Sequence, residues 1–319
     1  MKIGMSDSVC SVCKRRSAVF TDRVSGISLC GPCFIKGFER RVQRTISKYD
    51  MFREDDRIAV AVSGGKDSNV LLYVLNKIEQ NFPKSEVIAI TVDEGISGYR
   101  DVCIKFATRL SKKLGVEHVM VSFKEMFGIS LDEVVDLCRK IGVRPCTVCG
   151  VLRRKALNVT ARELGADKLA TAHNLDDEVE TIFMNVIKGD FERLFRVKRV
   201  QEKTHEKFVP RVKPLCEISS REIILYAQLR GIEYYPEPCP YRGDVLRGEV
   251  RRILNDLERR IPSVKYSILR FHDRLLRMAD SLGWEPGEQP VRECEICGEP
   301  SSGSICKACE LLRRMGVLS

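Results

Sequence analysis

Four groups of residues in this 319-residue chain have the type and spacing to do chemistry. The first is Ser63-Gly64-Gly65-Lys66-Asp67-Ser68, between an apolar run at 58–62 and a helical pattern. A buried strand that turns through two glycines into a helix is a phosphate cradle. Glycine permits backbone shapes and close approaches that a Cβ forbids. Free N–H groups at the helix start, and the positive end of its dipole, face the anion. Lys66 adds a point charge. The spacing is not that of the common G-x-x-x-x-G-K-[ST] loop, and the plain alternative is a Gly-Ser turn. The second group is Cys146 and Cys149 in a C-x-x-C pair, with Cys239 in the helix-hostile stretch Pro236-Glu237-Pro238-Cys239-Pro240. Three thiolates can hold three irons of a 4Fe–4S cluster and leave the fourth without a protein ligand. Alternatively one cysteine carries a persulfide that a partner resolves, or the three are a redox-inactive pair plus a loop cysteine.

The third and fourth groups are cysteine quartets near the two ends. Cys10, Cys13, Cys30 and Cys33 have the C-x2-C-x15-20-C-x2-C spacing of a four-thiolate zinc site. Metal binding would supply folding energy that so short a block lacks. Cys294, Cys297, Cys306 and Cys309 form a tighter knuckle, with Gly298 and Gly303 expected to relieve its turns. Both read as structural zinc with no open coordination position, the alternative being disulfides.

These groups need elements to position them. Strand patterns at 58–62, 87–92, 119–123 and 168–171 alternate with helical patterns at 69–78, 102–114, 131–141 and 153–164. That alternation predicts parallel βαβ units, whose ligands bind beyond the carboxyl ends of the strands. The phosphate loop lies at such an end. So do Asp93-Glu94-Gly95 and His173-Asn174-Leu175-Asp176-Asp177. Three blocks follow: a zinc module at 1–45, a catalytic domain at 50–262, and a linking helix with a second zinc module at 263–319. The linking helix, 266–282, shows apolar residues at Ile268, Phe271, Leu275, Met278 and Leu282. Cys103, Cys138 and Cys216 read as buried packing residues.

Composition narrows the class. The net charge of +10, from 54 basic and 44 acidic residues, favours a polyanionic partner. Basic pairs and triplets occur at Arg40-Arg41, Arg153-Arg154-Lys155, Lys198-Arg199, Arg251-Arg252 and Arg259-Arg260; any one of them is also readable as solvated surface. No apolar run is long enough for a membrane span. Residues 1–8 lack an apolar signal core. The protein is expected in the cytoplasm, where fourteen cysteines read as metal or redox sites before disulfides.

The loop resembles the SGGxDS signature of PP-loop ATP pyrophosphatases, enzymes that cleave ATP between the α and β phosphates and adenylate a substrate. Taken with TVDEGI, PCTVCG, TAHNLDDEVET, the Pro-Cys-Pro loop and both quartets, the whole chain resembles the TtuA family of tRNA 2-thiouridine synthetases, which includes the archaeal and eukaryotic wobble-uridine thiolases. The resemblance implies an α/β parallel-sheet PP-loop domain (adenine nucleotide α-hydrolase-like) flanked by two zinc modules. It implies ATP-dependent replacement of a uridine C2 oxygen by sulfur in tRNA, and a 4Fe–4S cluster on Cys146, Cys149 and Cys239. It also implies a ubiquitin-like sulfur carrier with a C-terminal thiocarboxylate, and a homodimer.

On that reading Ser63, Gly64, Gly65 and Ser68 cradle the phosphates, and Lys66 stabilises departing pyrophosphate. Asp67 serves magnesium or loop geometry. Asp93 and His173 border the nucleotide, Asp176 or Asp177 handles a proton or a metal, and Arg153 meets substrate charge. The plain alternatives are helix-start acids in Asp176-Asp177-Glu178 and a solvated arginine. The chain departs from the pattern where some relatives place a lysine just after the central C-x-x-C; here stand Arg153 and, two residues on, Lys155. Arginine does not transfer protons readily. Two competing readings are another PP-loop adenylating enzyme, such as a cytidine 2-thiolase or tRNA lysidine synthetase, and a non-catalytic zinc-dependent RNA-binding protein.

Overall fold

Apolar runs buried on both faces build the centre of this fold. The computed structural model describes residues 8–243, 245–284, 287 and 291–318; the stretch read as lacking a signal core lies outside them except for Ser8. Two-residue strands β1 (Phe20–Thr21) and β2 (Ser28–Leu29) form a hairpin ahead of α1 (Gly31–Lys48). Then β3 (Arg57–Ala61), α2 (Lys66–Glu79), β4 (Glu86–Asp93), α3 (Arg100–Leu114) and β5 (Glu117–Ser122) alternate. Short α4 (Phe123–Phe127), α5 (Leu131–Ile141) and α6 (Pro145–Glu163) lead to β6 (Lys168–Ala170). The chain continues through α7 (Leu175–Ile187), α8 (Phe191–Phe195), β7 (Val200–Gln201), β8 (Arg211–Val212) and α9 (Ser220–Arg230). It ends with α10 (Val245–Arg260), α11 (Val264–Ser281), the β9 (Arg292–Glu293) and β10 (Pro300–Ser301) hairpin, and α12 (Lys307–Arg314).

The main sheet has the order β5-β4-β3-β6-β8-β7, parallel except for the β7–β8 edge pair. Ile58, Ala59 and Val60 are fully buried, as expected for a central parallel strand covered on both faces. The chain runs outward from β3 to β5 and returns on the other side of β3 as β6. A topological switch therefore opens between β3 and β6, where such sheets bind ligands. The phosphate loop leaves β3 at that point and His173-Asn174 leaves β6 beside it.

The α/β class and the four parallel strands agree with the sequence patterns. The differences have local causes. The predicted strand at 119–123 ends one residue early, because Ser122 caps α4 and sends Phe123 into the core. The helix predicted from 153 begins at Pro145, a favoured first-turn residue, so Cys146 and Cys149 sit in the first turn of α6. The edge pair β7–β8 is too short to leave a pattern.

The helix predicted at 266–282 forms as α11 but buries a different face. Leu269, His272 and Asp273 are buried, whereas Phe271 is 67% exposed, Met278 61% and Leu282 79%. A buried ion pair lies on that face, beside Ile268, which packs partly against the α7 cluster. Arg199 lies 3.2 Å from Asp273 and 2.6 Å from Glu178 of α7. The helix is no free spacer to the C-terminal module, since it packs along α7 beside α10. That module docks elsewhere: Cys294, Cys306, Cys309, Leu311 and Leu312 share a core with Val148, Leu152 and Ala156 of α6. At the other end, Phe34, Phe38 and Val42 of α1 join the main core, and Phe38 stacks on Tyr226 of α9 at 4.2 Å.

Candidate active site

The phosphate loop is shaped by contacts that only its residue types allow. Gly64 has φ +83°, and a Cβ there would lie 2.0 Å from the Cys103 carbonyl oxygen. Tyr235 N–H donates to the Gly64 carbonyl at 3.0 Å. The Ser68 hydroxyl is buried and accepts from Ser63 N–H at 3.0 Å, so it braces the turn rather than facing the cleft. Helix α2 starts after Gly65 with no side-chain cap, which leaves its first N–H groups for an anion. Lys66 Nζ lies 2.6 Å from Asp67 Oδ2, and Asn174 Nδ2 donates to Asp67 Oδ1 at 3.0 Å across the switch point.

Asp93 accepts from Gly95 N–H at 2.9 Å and so holds the turn after β4. His173 opens onto the cleft with Nδ1 3.0 Å from the Thr171 hydroxyl. Desolvation by the surrounding protein, then the Lys213 charge, pushes its pKa down to about 4. The next helix start separates two acids. Asp176 is bound to Lys265 and accepts from Ser220 N–H at 2.8 Å, a structural role. Asp177 shares a reciprocal cap with Asn174. Desolvation, reinforced by the nearby Asp67 charge, pushes its carboxyl up to about 6.

The three central cysteines converge. Cys146 Sγ donates to the Tyr241 carbonyl at 2.9 Å, and Cys149 and Cys239 pack against one apolar cluster with Tyr241. Tyr241 Oη in turn donates to Asp132 at 2.7 Å, and Arg242 N–H donates to the Cys239 carbonyl at 3.0 Å, which fixes the Pro-Cys-Pro loop. Burial pushes Cys149 up to about 12 and raises Cys239, with the nearby Arg153 charge acting the other way on both. Arg153, one turn after Cys149, pairs with Glu94 at 3.2 Å. Glu94 also faces Arg100 Nε at 2.7 Å, and Arg100 donates to the Ser63 carbonyl at 2.8 Å. A continuous chain of charge thus joins the cysteine site to the phosphate loop.

Both quartets are drawn in to single-ion distances. Cys13 Sγ lies 3.6 Å from Cys30 Sγ, and Cys297 Sγ 3.7 Å from Cys306 Sγ. Tetrahedral zinc with bonds of about 2.3 Å sets its sulfurs about 3.8 Å apart, whereas a disulfide needs about 2.05 Å. All fourteen cysteines are free. The thiolate sets therefore fit zinc. Gly298 has the left-handed φ of +67° expected of a knuckle turn, and Gly303 does not. The central trio is spread wider than a single-ion site, as the corners of a multi-iron cluster would be.

A PP-loop domain model matches residues 36–258. The tRNA 2-thiolation protein NcsA of Haloferax volcanii is 34% identical over 315 residues, 95% of this chain and 98% of that one. Cytoplasmic tRNA 2-thiolation protein 1 of Drosophila melanogaster is 37% identical over 305 residues, 95% of this chain and 86% of that one. The solved U34-tRNA thiolase NcsA from Methanococcus maripaludis, with its [4Fe-4S] cluster, superposes with a TM-score of 0.83 at 38% identity, over 98% of this chain and 97% of that one. This chain belongs to the PP-loop family of tRNA 2-thiolation sulfurtransferases.

The phosphate loop, Asp93 and His173 lie beyond the carboxyl ends of interior strands, and Arg153 and Glu94 link the central cysteines to them, whereas the quartets lie apart; Ser68 braces the loop, and Asp176 belongs to an ion pair. Sequence reasoning missed Glu94, Arg100 and Asn174 as the groups that tie the site together. Glu94 carried a signal, being an acid directly after an apolar strand. Lys155 is also placed by the fold: its Nζ lies 3.9 Å from Cys309 Sγ, away from the phosphate loop and against the C-terminal quartet.

Proposed function

We propose that this protein is an ATP-dependent tRNA sulfurtransferase that replaces the C2 oxygen of uridine 34 with sulfur. The observation that carries the reading is a glycine-built phosphate loop at the carboxyl end of a central strand, joined to three cysteines through Arg100, Glu94 and Arg153. The position of the uridine follows the Methanococcus thiolase named for U34.

A uracil C2 oxygen is a poor leaving group. Its attack on the α-phosphorus of ATP forms an O–P bond and breaks the bond to the β-phosphate bridge, releasing pyrophosphate. Sulfur at the sulfide level then bonds to C2, the oxygen departs with AMP, and N3 regains its proton. Lys66 and the uncapped N–H groups of α2 hold the charge that develops on pyrophosphate. Asp67, fixed by Lys66 and Asn174, offers the carboxylate for Mg2+. Asp93 and His173 border the nucleotide. Asp177 takes the N3 proton of uracil as O2 attacks, its carboxyl tuned towards neutrality by desolvation. Cys146, Cys149 and Cys239 would hold a 4Fe–4S cluster, whose iron without a protein ligand would supply a site for binding sulfur. Arg153 sets a positive charge beside those thiolates and is itself oriented by Glu94.

The quartets in the modules at 1–45 and 263–319 hold structural zinc ions. The sulfur donor is a ubiquitin-like carrier with a C-terminal thiocarboxylate, as the family likeness implies. The working form is a homodimer; the exposed Phe271, Met278 and Leu282 of the α11 region support a covered face. The cytoplasm is its compartment, in keeping with the naming of the Drosophila relative. No helix among the described residues is long and apolar enough to cross a membrane. Mass spectrometry of tRNA nucleosides after gene deletion tests the reading. Loss of 2-thiouridine at position 34 is expected, and an unchanged level would overturn it.

A further inference from the structure

A cavity of about 1420 Å³ opens beside Lys66 and Asp67, between the β1–β2 turn, α1, the starts of α7 and α9, and helices α10 and α11. It is larger than the roughly 300–1,000 Å³ of ordinary small-ligand pockets. Eleven Arg and Lys line it against seven Asp and Glu. The acids are spent inside the fold: Asp176 on Lys265, Glu222 on Arg41, Glu217 on Lys48, and Glu258 on the N–H groups of Ser263 and Lys265. Five exposed arginines, Arg23, Arg44, Arg221, Arg242 and Arg270, have no anionic partner among the described residues. They come from five separate stretches of chain yet border one concavity. Unpaired like charges around a low-dielectric cleft repel one another and focus a positive field outward, an arrangement that a bound polyanion relieves. Guanidinium forks suit phosphate oxygens. One end of the cavity is the phosphate loop. Another is Arg242, whose N–H holds the Cys239 carbonyl.

We infer that this cleft seats the phosphate backbone of the RNA substrate, with Arg23, Arg44, Arg221 and Arg270 holding a stem and Arg242 the strand that enters the site. The inference rests on the proposed tRNA thiolation and assigns it a docking surface. The N-terminal metal module is then one wall of the RNA cleft, contributing Arg23 from its hairpin turn.

The test is binding of unmodified tRNA to full-length, metal-loaded protein by fluorescence anisotropy between 50 and 300 mM KCl. Wild type is compared with an Arg44→Glu/Arg221→Glu/Arg270→Glu variant. A matched control carries Lys112→Glu/Lys113→Glu/Lys140→Glu, exposed positions outside the cleft. The cleft variant is expected to bind at least about tenfold more weakly, with the slope of log K against log salt shallower by about 2 to 3, near 0.9 per lost phosphate contact. The control should stay within about twofold, and ATP binding and mass in solution should not change. The single variants Arg44→Ala and Arg270→Ala should each flatten the slope by about 1. An unchanged slope, an equal loss in the control, or a change from dimer to monomer would overturn the assignment while leaving tRNA thiolation standing. Wild type that binds tRNA with no salt dependence would bring down both.

Discussion

In the proposed reaction, Lys66 and Asp177 are two charged side chains of one cleft with different tasks. Lys66 lies against Asp67 at 2.6 Å at an uncapped helix start, where a β,γ-phosphate would sit. Lys66→Ala should lower the rate of AMP transfer by about 10² or more, the usual effect of losing one group that stabilises developing charge. Affinity for tRNA should stay within a few-fold. Pyrophosphate release measured beside tRNA binding checks this, and equal loss of both would remove the assigned role. Asp177 is held up to about 6 by desolvation. A carboxyl whose folded pKa is raised favours folding when protonated, and that stability is lost as pH rises from its unfolded value through about 6. Asp177→Asn keeps an acceptor for the Asn174 N–H and removes the charge. At pH 7 it should therefore melt no lower than wild type, yet turn over about 10²-fold more slowly and without the acid limb near pH 6. A lower melting temperature with an intact limb would make Asp177 a cap and nothing more.

At the scale of elements, the turns leaving β3 and β4 do the positioning. Gly64 adopts a left-handed φ, and a Cβ there would lie 2.0 Å from the Cys103 carbonyl oxygen. The obstacle is backbone, so Gly64→Ala must move α3 or the loop. It should cost about 2 kcal/mol or more in denaturant unfolding, above the 1–2 kcal/mol for the backbone conformation alone, and abolish ATP binding. Glu94 is nearly buried between Arg100 and the more exposed Arg153. Glu94→Gln leaves Arg100 without its counter-charge, a loss of about 3–5 kcal/mol for a buried pair. Glu94→Asp should recover part of it. A neutral effect in calorimetry would mean that the charge chain holds nothing. The patterns at 131–141 and around the phosphate loop made these elements readable, because local apolar spacing and capping residues set them. The rotated face of α11 was hidden, because its buried Asp273 pairs with Arg199, from a different part of the chain.

For the whole molecule, the testable features are the proposed metals and the charge. Anaerobic protein should contain about four irons and two zincs per chain, as the ligand sets require. Cys239→Ser should lose iron and its visible absorption while keeping zinc. Cys309→Ser should lose one zinc and loosen α6 as well, because its module shares a core with Val148 and Leu152. Protease resistance of the 145–163 segment reads this out, and unchanged resistance would uncouple the module from the helix. The basic runs seen in sequence are largely consumed: Arg41 pairs with Glu222, Arg199 with Glu178 and Asp273, and Arg251 with Glu180. The arginines left unpaired around the cleft are scattered singly in the sequence.

The sequence by itself determined the candidate chemical groups and the sheet. Glycine, lysine and cysteine at fixed short spacings carry their function locally, and the alternation of apolar runs dictates parallel βαβ units. Only the tertiary structure decided which of Asp176 and Asp177 stays out of an ion pair, that Ser68 braces its loop, and that Glu94 links loop to cysteines. It also decided which arginines remain unpaired. Asp176 and Glu94 depend on Lys265 and Arg153, dozens of residues away, and Ser68 on a loop geometry that one-dimensional spacing does not encode.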